Sequence, residues 1–549
     1  MTRWLDHLLV FPVVLPLVAG AVMLLIDEQH RILKTAISIA TIVALTGVAI
    51  ALLGLVDARS TEAASASVWV YRLGDWPAPF AIVLVADRLS AMMLVLTSVL
   101  GLASMVFSVA RWDRAGSHFR AMFLFLLMGL NGAFLTGDLF NLFVWFELLL
   151  AASYGLVLHG SGTRRVKAGL HYIAVNLATS LLFLIGVSLI YGVTGTLNMA
   201  DLATRIPQVP AESRGLLETG AAVLGIAFLV KAGIWPLSFW LPSAYSAATP
   251  PVAAMFAIMS KLGLYAVLRL WLLLFGASSG ASAHFGGDWL AFAGMATIVF
   301  GAIGVLASQD IARLAGFSVL ISSGTVMAAI ATAQVGVTGP ALYYLVSSTL
   351  GIGALFMLIE LLERGREPGA DVLAVTREAY GEDEADDLLR PDEAGVAIPA
   401  AMAILGLCFI GCTLVLAGLP PLSGFIAKFA MLSALFGPPG PGTHAGVPPL
   451  AWALLGLLIV SGLTTLVAMT RAGIRTLWTG AERTVPRVRV IEIAPIIILL
   501  LATATMTVQA EPVMRYMQAT AAALYAPQGY IHGVLSAPAG RGAPKKEGS

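Results

Sequence analysis

Apolar runs of about twenty residues, enough for a helix to cross ~30 Å of hydrocarbon, follow one another along the chain. They predict spans at Leu8–Ile26, Leu33–Val56, Leu89–Ala110, Phe119–Thr136, Leu139–Leu158, Gly169–Tyr191 and Ala221–Trp240. Seven more are predicted at Pro250–Phe275, Trp289–Ala307, Ile311–Ala333, Gly339–Leu362, Ile398–Phe436, Leu450–Thr470 and Ile493–Gln509. The twelfth is too long for one straight helix and is interrupted by Gly418-Leu419-Pro420-Pro421, so it is expected to be broken. In the seventh, Lys231 is followed five residues later by Pro236. Proline has no N–H to offer and its ring presses on the carbonyl four residues back, here Ala232, so a kink or break is expected beside the lysine. Between the second and third spans, the aromatic and β-branched runs of Ser67–Ala86 flank Gly74-Asp75 and predict a β-hairpin outside the membrane. Leu8–Ile26 is longer than a signal-peptide core and no clear cleavage site follows it, so it reads as a retained first helix.

Composition fits that pattern. Of 549 residues, 58% are hydrophobic and 11% charged, against about 25% charged in soluble domains. An all-α polytopic membrane protein of about fourteen spans is expected. The net charge of +1 gives no case for nucleic-acid binding. Cys408 and Cys412, four apart in an apolar run, read as packing residues, and the eight histidines lack metal-ligand spacing. Neither a Gly-rich phosphate loop nor a Ser-His-Asp pattern stands out, so no cofactor, metal site or enzymatic activity is expected. Basic residues set the orientation. Arg111, Arg114 and Arg120, then Arg164, Arg165 and Lys167, then Arg471, Arg475, Arg483, Arg487 and Arg489 all occupy odd-to-even connections, which are assigned to the cytoplasm. The acidic connection Glu363–Ala397, also odd-to-even, is read as a solvated segment.

Several ionisable residues interrupt the spans. A charge at mid-membrane costs at least ~2.5–3.5 kcal/mol, so intramembrane charges face the bundle interior or a water-filled path. Glu147 lies eight positions into the fifth span, and Lys231, Lys261 and Lys428 lie deep in the seventh, eighth and twelfth. His171 lies nearer an end of the sixth. Asp138 precedes Glu147 by nine residues, about 180° around a helix of ~3.6 residues per turn. It is expected to cap the fifth span rather than share a face with Glu147. The bland readings are a snorkelling Lys231, a structurally paired Lys261 and a satisfied interior His171. Against them stands the number of buried groups in one bundle. Removal from water disfavours both charged forms while pairing restores them, so making or breaking a Glu–Lys pair moves a proton. Two broken helices in separate halves, each with a lysine near the break, also point to an inverted repeat. Spans four to eight would match spans nine to thirteen. The expected divisions are 1–118, 119–275, 276–470 and 471–549.

The motifs TGDLFNLFVWFE, YGVTGTLNMADL, LVKAGIWPLSFWLPSAY, QDIARLAGFSVL and GLPPLSGFIAKF resemble those of the D subunits of the Mrp-type multisubunit monovalent cation/proton antiporters, called Pha in some bacteria. Those D subunits are homologous to the antiporter-like subunits of respiratory complex I. The resemblance covers nearly the whole chain, and GTLNMADL together with a lysine on the twelfth span favours the D type. It implies a proton-translocating subunit for Na⁺ or K⁺ exchange in a bacterial inner membrane, partnered by the A and C subunits and small membrane subunits. The alternative is a proton-pumping subunit of complex I or a membrane-bound hydrogenase. The resemblance further implies that Glu147 and Lys231 form the input pair, Lys261 is the central lysine and Lys428 the output residue. His171 falls where relatives often carry a basic group. Two positions depart from the pattern: Ala312 stands where relatives have a basic residue, and Ser347 or Ser348 where many have histidine. The link from Lys261 to Lys428 is therefore expected to run through water and hydroxyls such as Ser322, Ser347, Ser348 and Thr349, with Pro236, Pro420 and Pro421 shaping the breaks.

Overall fold

The computed structural model describes residues 7–62, 68–80, 82–116, 118–160, 162–364, 400–437, 449–478 and 488–536. The acidic run Glu382-Asp383-Glu384 and Asp386-Asp387, with Arg483 and Arg487, lies outside them.

Each predicted span coincides with a helix or a broken pair of helices. The first half holds α1 (Phe11–Leu25), α2 (Arg31–Glu62), α3 (Arg88–Val109), α4 (Phe119–Leu135), α5 (Leu139–Val157) and α6 (Thr163–Thr194). The short α7 (Met199–Arg205) follows, then α8 (Ala211–Ala232), α9 (Leu241–Ala247) and α10 (Pro250–Phe275). The second half holds α11 (Gly287–Ala307), α12 (Ile311–Ile330), α13 (Val335–Glu363), α14 (Ala400–Ala417), α15 (Ser423–Leu435), α16 (Pro449–Gly473) and α17 (Val490–Val508). Among the described residues, twelve of these are long and apolar enough to cross a membrane, and α1, α4 and α15 are shorter apolar helices. The expected hairpin forms from β1 (Trp69–Arg72) and β2 (Val83–Ala86), antiparallel with Trp69 opposite Ala86 and Arg72 opposite Val83. Gly74, at φ 68°, makes the tight turn after β1.

Both broken spans end their first segment in the same way. Gly233 takes φ 71°, its N–H bonds the Val230 carbonyl, and the Ile234 N–H reaches back to Leu229 at 3.0 Å. Gly418 takes φ 74°, and the Leu419 N–H reaches back to Leu414 at 3.0 Å. This is the left-handed glycine cap, in which the second residue past the helix bonds the carbonyl five residues before it. A proline stands three residues after each glycine, at Pro236 and Pro421. The first helix therefore stops one residue after Lys231, at Ala232 with Gly233 as its cap, rather than running on toward Pro236. Glycine ends the helix because it alone enters the left-handed region without steric cost. The Trp235 N–H left free by the break is taken by the Thr297 hydroxyl at 2.8 Å.

The alternation of spans sorts the connections into two ends, and the contacts respect that sorting. At one end Trp112 donates to Glu360, Arg364 pairs with Glu492 at 2.7 Å, Arg164 pairs with Asp310 at 2.7 Å, and Arg165 bonds the Ala247 carbonyl at 2.9 Å. At the other, Arg269 pairs with Asp87, the Tyr516 hydroxyl bonds the Arg88 carbonyl at 2.8 Å, and Ser282 bonds Glu218 at 2.9 Å. The stretch after the last predicted span is helical in part. Helices α18 (Ala510–Tyr525) and α19 (Gln528–Leu535) fold back on this second end, burying Met517, Thr520, Ala521 and Leu524. Their apolar positions fall three and four apart, a pattern that a search for spanning length passes over.

The centre of the bundle is α10, buried along its most apolar window from end to end, with α13 and α12 beside it. Lys261 sits on that central helix, which removes the route by which a lysine snorkels to the interface.

Candidate functional site

Each deep lysine is held by neutral acceptors. The Lys231 Nζ donates to Asn176 Oδ1 at 3.1 Å and lies 5.5 Å from the centre of the Phe146 ring. The Lys261 Nζ, wholly buried, donates to the hydroxyls of Ser322 at 2.8 Å and Ser323 at 3.2 Å. The Lys428 Nζ donates to the Ala417 carbonyl at 3.0 Å, the last residue before the Gly418 break, and lies 5.9 Å from the Tyr344 ring centre. Among the described residues none of the three is within salt-bridge distance of a carboxylate. Of these acceptors only the Ser322 and Ser323 hydroxyls, which both donate and accept, have the chemistry of a proton relay.

Glu147 is half-buried on α5 and accepts a hydrogen bond from the Ser180 hydroxyl. Ser180 also faces the Asn176 carbonyl at 3.1 Å, one turn back on α6. Glu147 and Lys231 are thus linked by α6 rather than in direct contact: Glu147 to Ser180, Ser180 to Asn176, Asn176 to Lys231. Sequence reasoning misses Asn176 and Ser180. Their signal is an amide and a hydroxyl four apart in the spanning part of α6, aligned on one face.

From Lys261 the bonded groups lead toward the second break. Ser322 shares a hydrogen bond with Ser348 at 2.7 Å, and its sequence neighbour Ser347 shares one with Ser423 at 2.6 Å. Ser423 opens α15, five residues before Lys428. The structure thus brings together Lys261, Ser322 and Ser348, and Ser347 with Ser423. Thr349 instead donates to its own helix at the Leu345 carbonyl, 2.6 Å away. A hydroxyl both donates and accepts, so a serine pair can hand a proton on in either direction. Lys231 and Lys261 share no hydrogen bond among the described residues. Their helices nevertheless touch: a Cβ on Gly263 would stand 2.6 Å from the Ala232 nitrogen.

The remaining candidates fall elsewhere. His171 is exposed on α6, about 180° from Ser180 at ~100° per residue, and is not brought together with the lysines. Asp138 accepts the Asn141 N–H at 2.9 Å as the cap of α5. Burial raises its carboxyl above the ordinary value, against the pull of the Asn141 and Phe140 N–H groups. Ala312 lines a cleft of about 370 Å³ with Arg164, Arg165, Tyr245, Ser246 and Glu360. Tyr245 is on the wall of that cleft. Cys408 and Cys412 are buried and free.

Residues 136–438, more than half the chain and all of this constellation, match the family model described as NADH:quinone oxidoreductase/Mrp antiporter, TM. The chain belongs to that family. It is 59% identical over 538 residues to the probable K(+)/H(+) antiporter D subunit of Rhizobium meliloti, covering 98% of this chain and 99% of that one. It is 31% identical to the Na(+)/H(+) antiporter D subunit of Alkalihalophilus pseudofirmus, over 97% and 100% of the two chains. A chain in the solved Mrp complex from Dietzia superposes with a TM-score of 0.80 at 26% identity, over 97% and 100%. The likeness to these family members runs from end to end, so the hairpin and the C-terminal helices are part of it.

Proposed function

We propose that this chain is the proton-conducting subunit of a multisubunit monovalent cation/proton antiporter in a bacterial inner membrane, a secondary transporter subunit rather than an enzyme. The observation that carries the reading is three buried lysines that, among the described residues, make no salt bridge and are bonded instead to hydroxyls and amide oxygens of the bundle. End-to-end similarity to proteins named as antiporter D subunits favours it over a complex I or hydrogenase subunit. Protons enter the path at Glu147, pass by the Ser180 hydroxyl to Lys231, which Asn176 holds in place, then to Lys261, and leave through the serine pairs to Lys428. Water fills the steps that no side chain bridges. His171, exposed on α6, stands outside this inner run. The chain's partners are the A and C subunits and the small membrane subunits. The matching glycine caps support two five-helix repeats, 119–275 and 276–470. The exchanged cation is Na⁺ or K⁺, and the end bearing Arg111, Arg164 and Arg165 faces the cytoplasm.

The test uses everted vesicles carrying the whole gene cluster, with and without this subunit. Collapse of a respiration-driven ΔpH on adding Na⁺ or K⁺ should need the subunit. Glu147→Gln, which keeps the shape and removes the titrating group, should lower it at least about tenfold at unchanged protein level. Normal exchange by the well-expressed variant would refute the reading.

A further inference from the structure

A second polar row leaves Lys261, and the path above does not use it. Tyr265 and Arg269 follow Lys261 at four-residue steps on α10, stacked on one face toward the end where α18 and α19 fold back. Both are buried. The Tyr265 hydroxyl gives its one proton to the Phe134 carbonyl at 2.7 Å and receives Arg269 Nη2 at 3.3 Å. Arg269 in turn grips Asp87 with two bonds, Nη1 to Oδ2 and Nη2 to Oδ1, the latter at 2.7 Å. Asp87 is itself fixed as the cap of α3 by the Ser90 N–H at 2.9 Å and the Ser90 hydroxyl at 3.0 Å. The ring of Tyr530, on α19, lies 5.2 Å from the guanidinium.

This row is the short way from the central lysine to the second end of the bundle. Its chemistry forbids the passage it outlines. A guanidinium has five donors, no acceptor, and keeps its charge at any accessible pH. A proton arriving from Tyr265 finds no lone pair ahead, and a hydrated proton or metal cation meets a fixed positive charge. Arg269 is spared the cost of an unpaired buried charge only because Asp87 pairs with it in fork geometry.

We infer that Arg269, held by Asp87 and covered by Tyr530, is a plug that closes the direct route from Lys261 to the second end of the bundle and so forces protons sideways to Lys428. The inference rests on the proposed proton path. Arg269 is a positioning residue: it binds no transported ion and acts by exclusion.

The experiment is passive proton leak in everted vesicles carrying the complete cluster. A ΔpH is imposed with no Na⁺ or K⁺ added, and its decay is followed by a fluorescent weak base. Arg269→Gln should speed the decay roughly tenfold. Arg269→Lys, which keeps the charge, should stay near the parent rate. The double variant Asp87→Asn with Arg269→Gln removes both charges together and leaves no unpaired one, so it covers the case in which Arg269→Gln alone fails to assemble. It should leak as well. Adding Lys261→Met to the leaking variant should restore a tight membrane. Tight vesicles from assembled Arg269→Gln or from the double variant would overturn the plug, as would a leak that persists without Lys261. Leak is read without cation and exchange with it, so loss of the antiport reading and loss of the plug are separate results.

Discussion

An ammonium such as that of Lys261, held by two serine hydroxyls and, among the described residues, by no carboxylate, is poised differently from a lysine in a salt bridge. Its proton is shared with groups that can relay it, so each hydroxyl should matter in graded fashion. Ser322→Ala leaves the Ser323 contact but cuts the bond toward Ser348, and should slow cation-dependent ΔpH collapse severalfold. Removing Ser323 as well should bring the loss to about tenfold or more, ~1.4 kcal/mol of barrier. Full activity in the double variant would exclude the serines from the path. At this scale the charged residues are the legible ones. Glu147, Lys231, Lys261 and Lys428 stand out because a charge in an apolar run is costly enough to need a reason. Asn176, Ser180 and Ser423 do not, since amides and hydroxyls are cheap in spanning helices and only the partner on the next helix gives them meaning. His171 shows the converse: its place in a span is plain from the sequence, but which face it occupies comes only from the packing.

At the scale of elements, the two broken helices and the hairpin can be read from glycine, proline and alternation. The exact stopping point cannot. Proline draws attention to Pro236, whereas the cap at Gly233 ends α8 three residues sooner. Helices α18 and α19 escape a search for spans because their apolar residues cover one face only. Contact between α8 and α10 sets the distance from Lys231 to Lys261, and it depends on Gly263, where an added Cβ would meet the Ala232 nitrogen at 2.6 Å and the Phe228 carbonyl oxygen at 2.8 Å. Both are backbone atoms that cannot rotate away. Gly263→Ala should destabilise the bundle by roughly 1–3 kcal/mol and widen this gap. A lower thermal midpoint of the detergent-solubilised complex, with impaired exchange, is expected; a midpoint equal to the parent's would show that α10 does not need this approach.

At the scale of the whole molecule, two halves with matching glycine caps place their lysines differently. Lys231 precedes its break and Lys428 follows its own, yet each has an aromatic ring within 6 Å and an uncharged oxygen as acceptor. Between them, α10, α12 and α13 carry Lys261, Ser322, Ser347 and Ser348 through the most buried part of the fold. The proposed function unites these features by having the buried lysines carry protons, losing and regaining them. Lys428→Arg tests this most directly, because arginine keeps the charge and will not release its proton. The measurement is Na⁺- or K⁺-dependent ΔpH collapse in everted vesicles, with the amount of assembled complex checked on a native gel. Exchange at background level with the complex intact is the expected result. Exchange at the parent rate would contradict proton transfer by the lysines and leave Lys428 as a fixed electrostatic element.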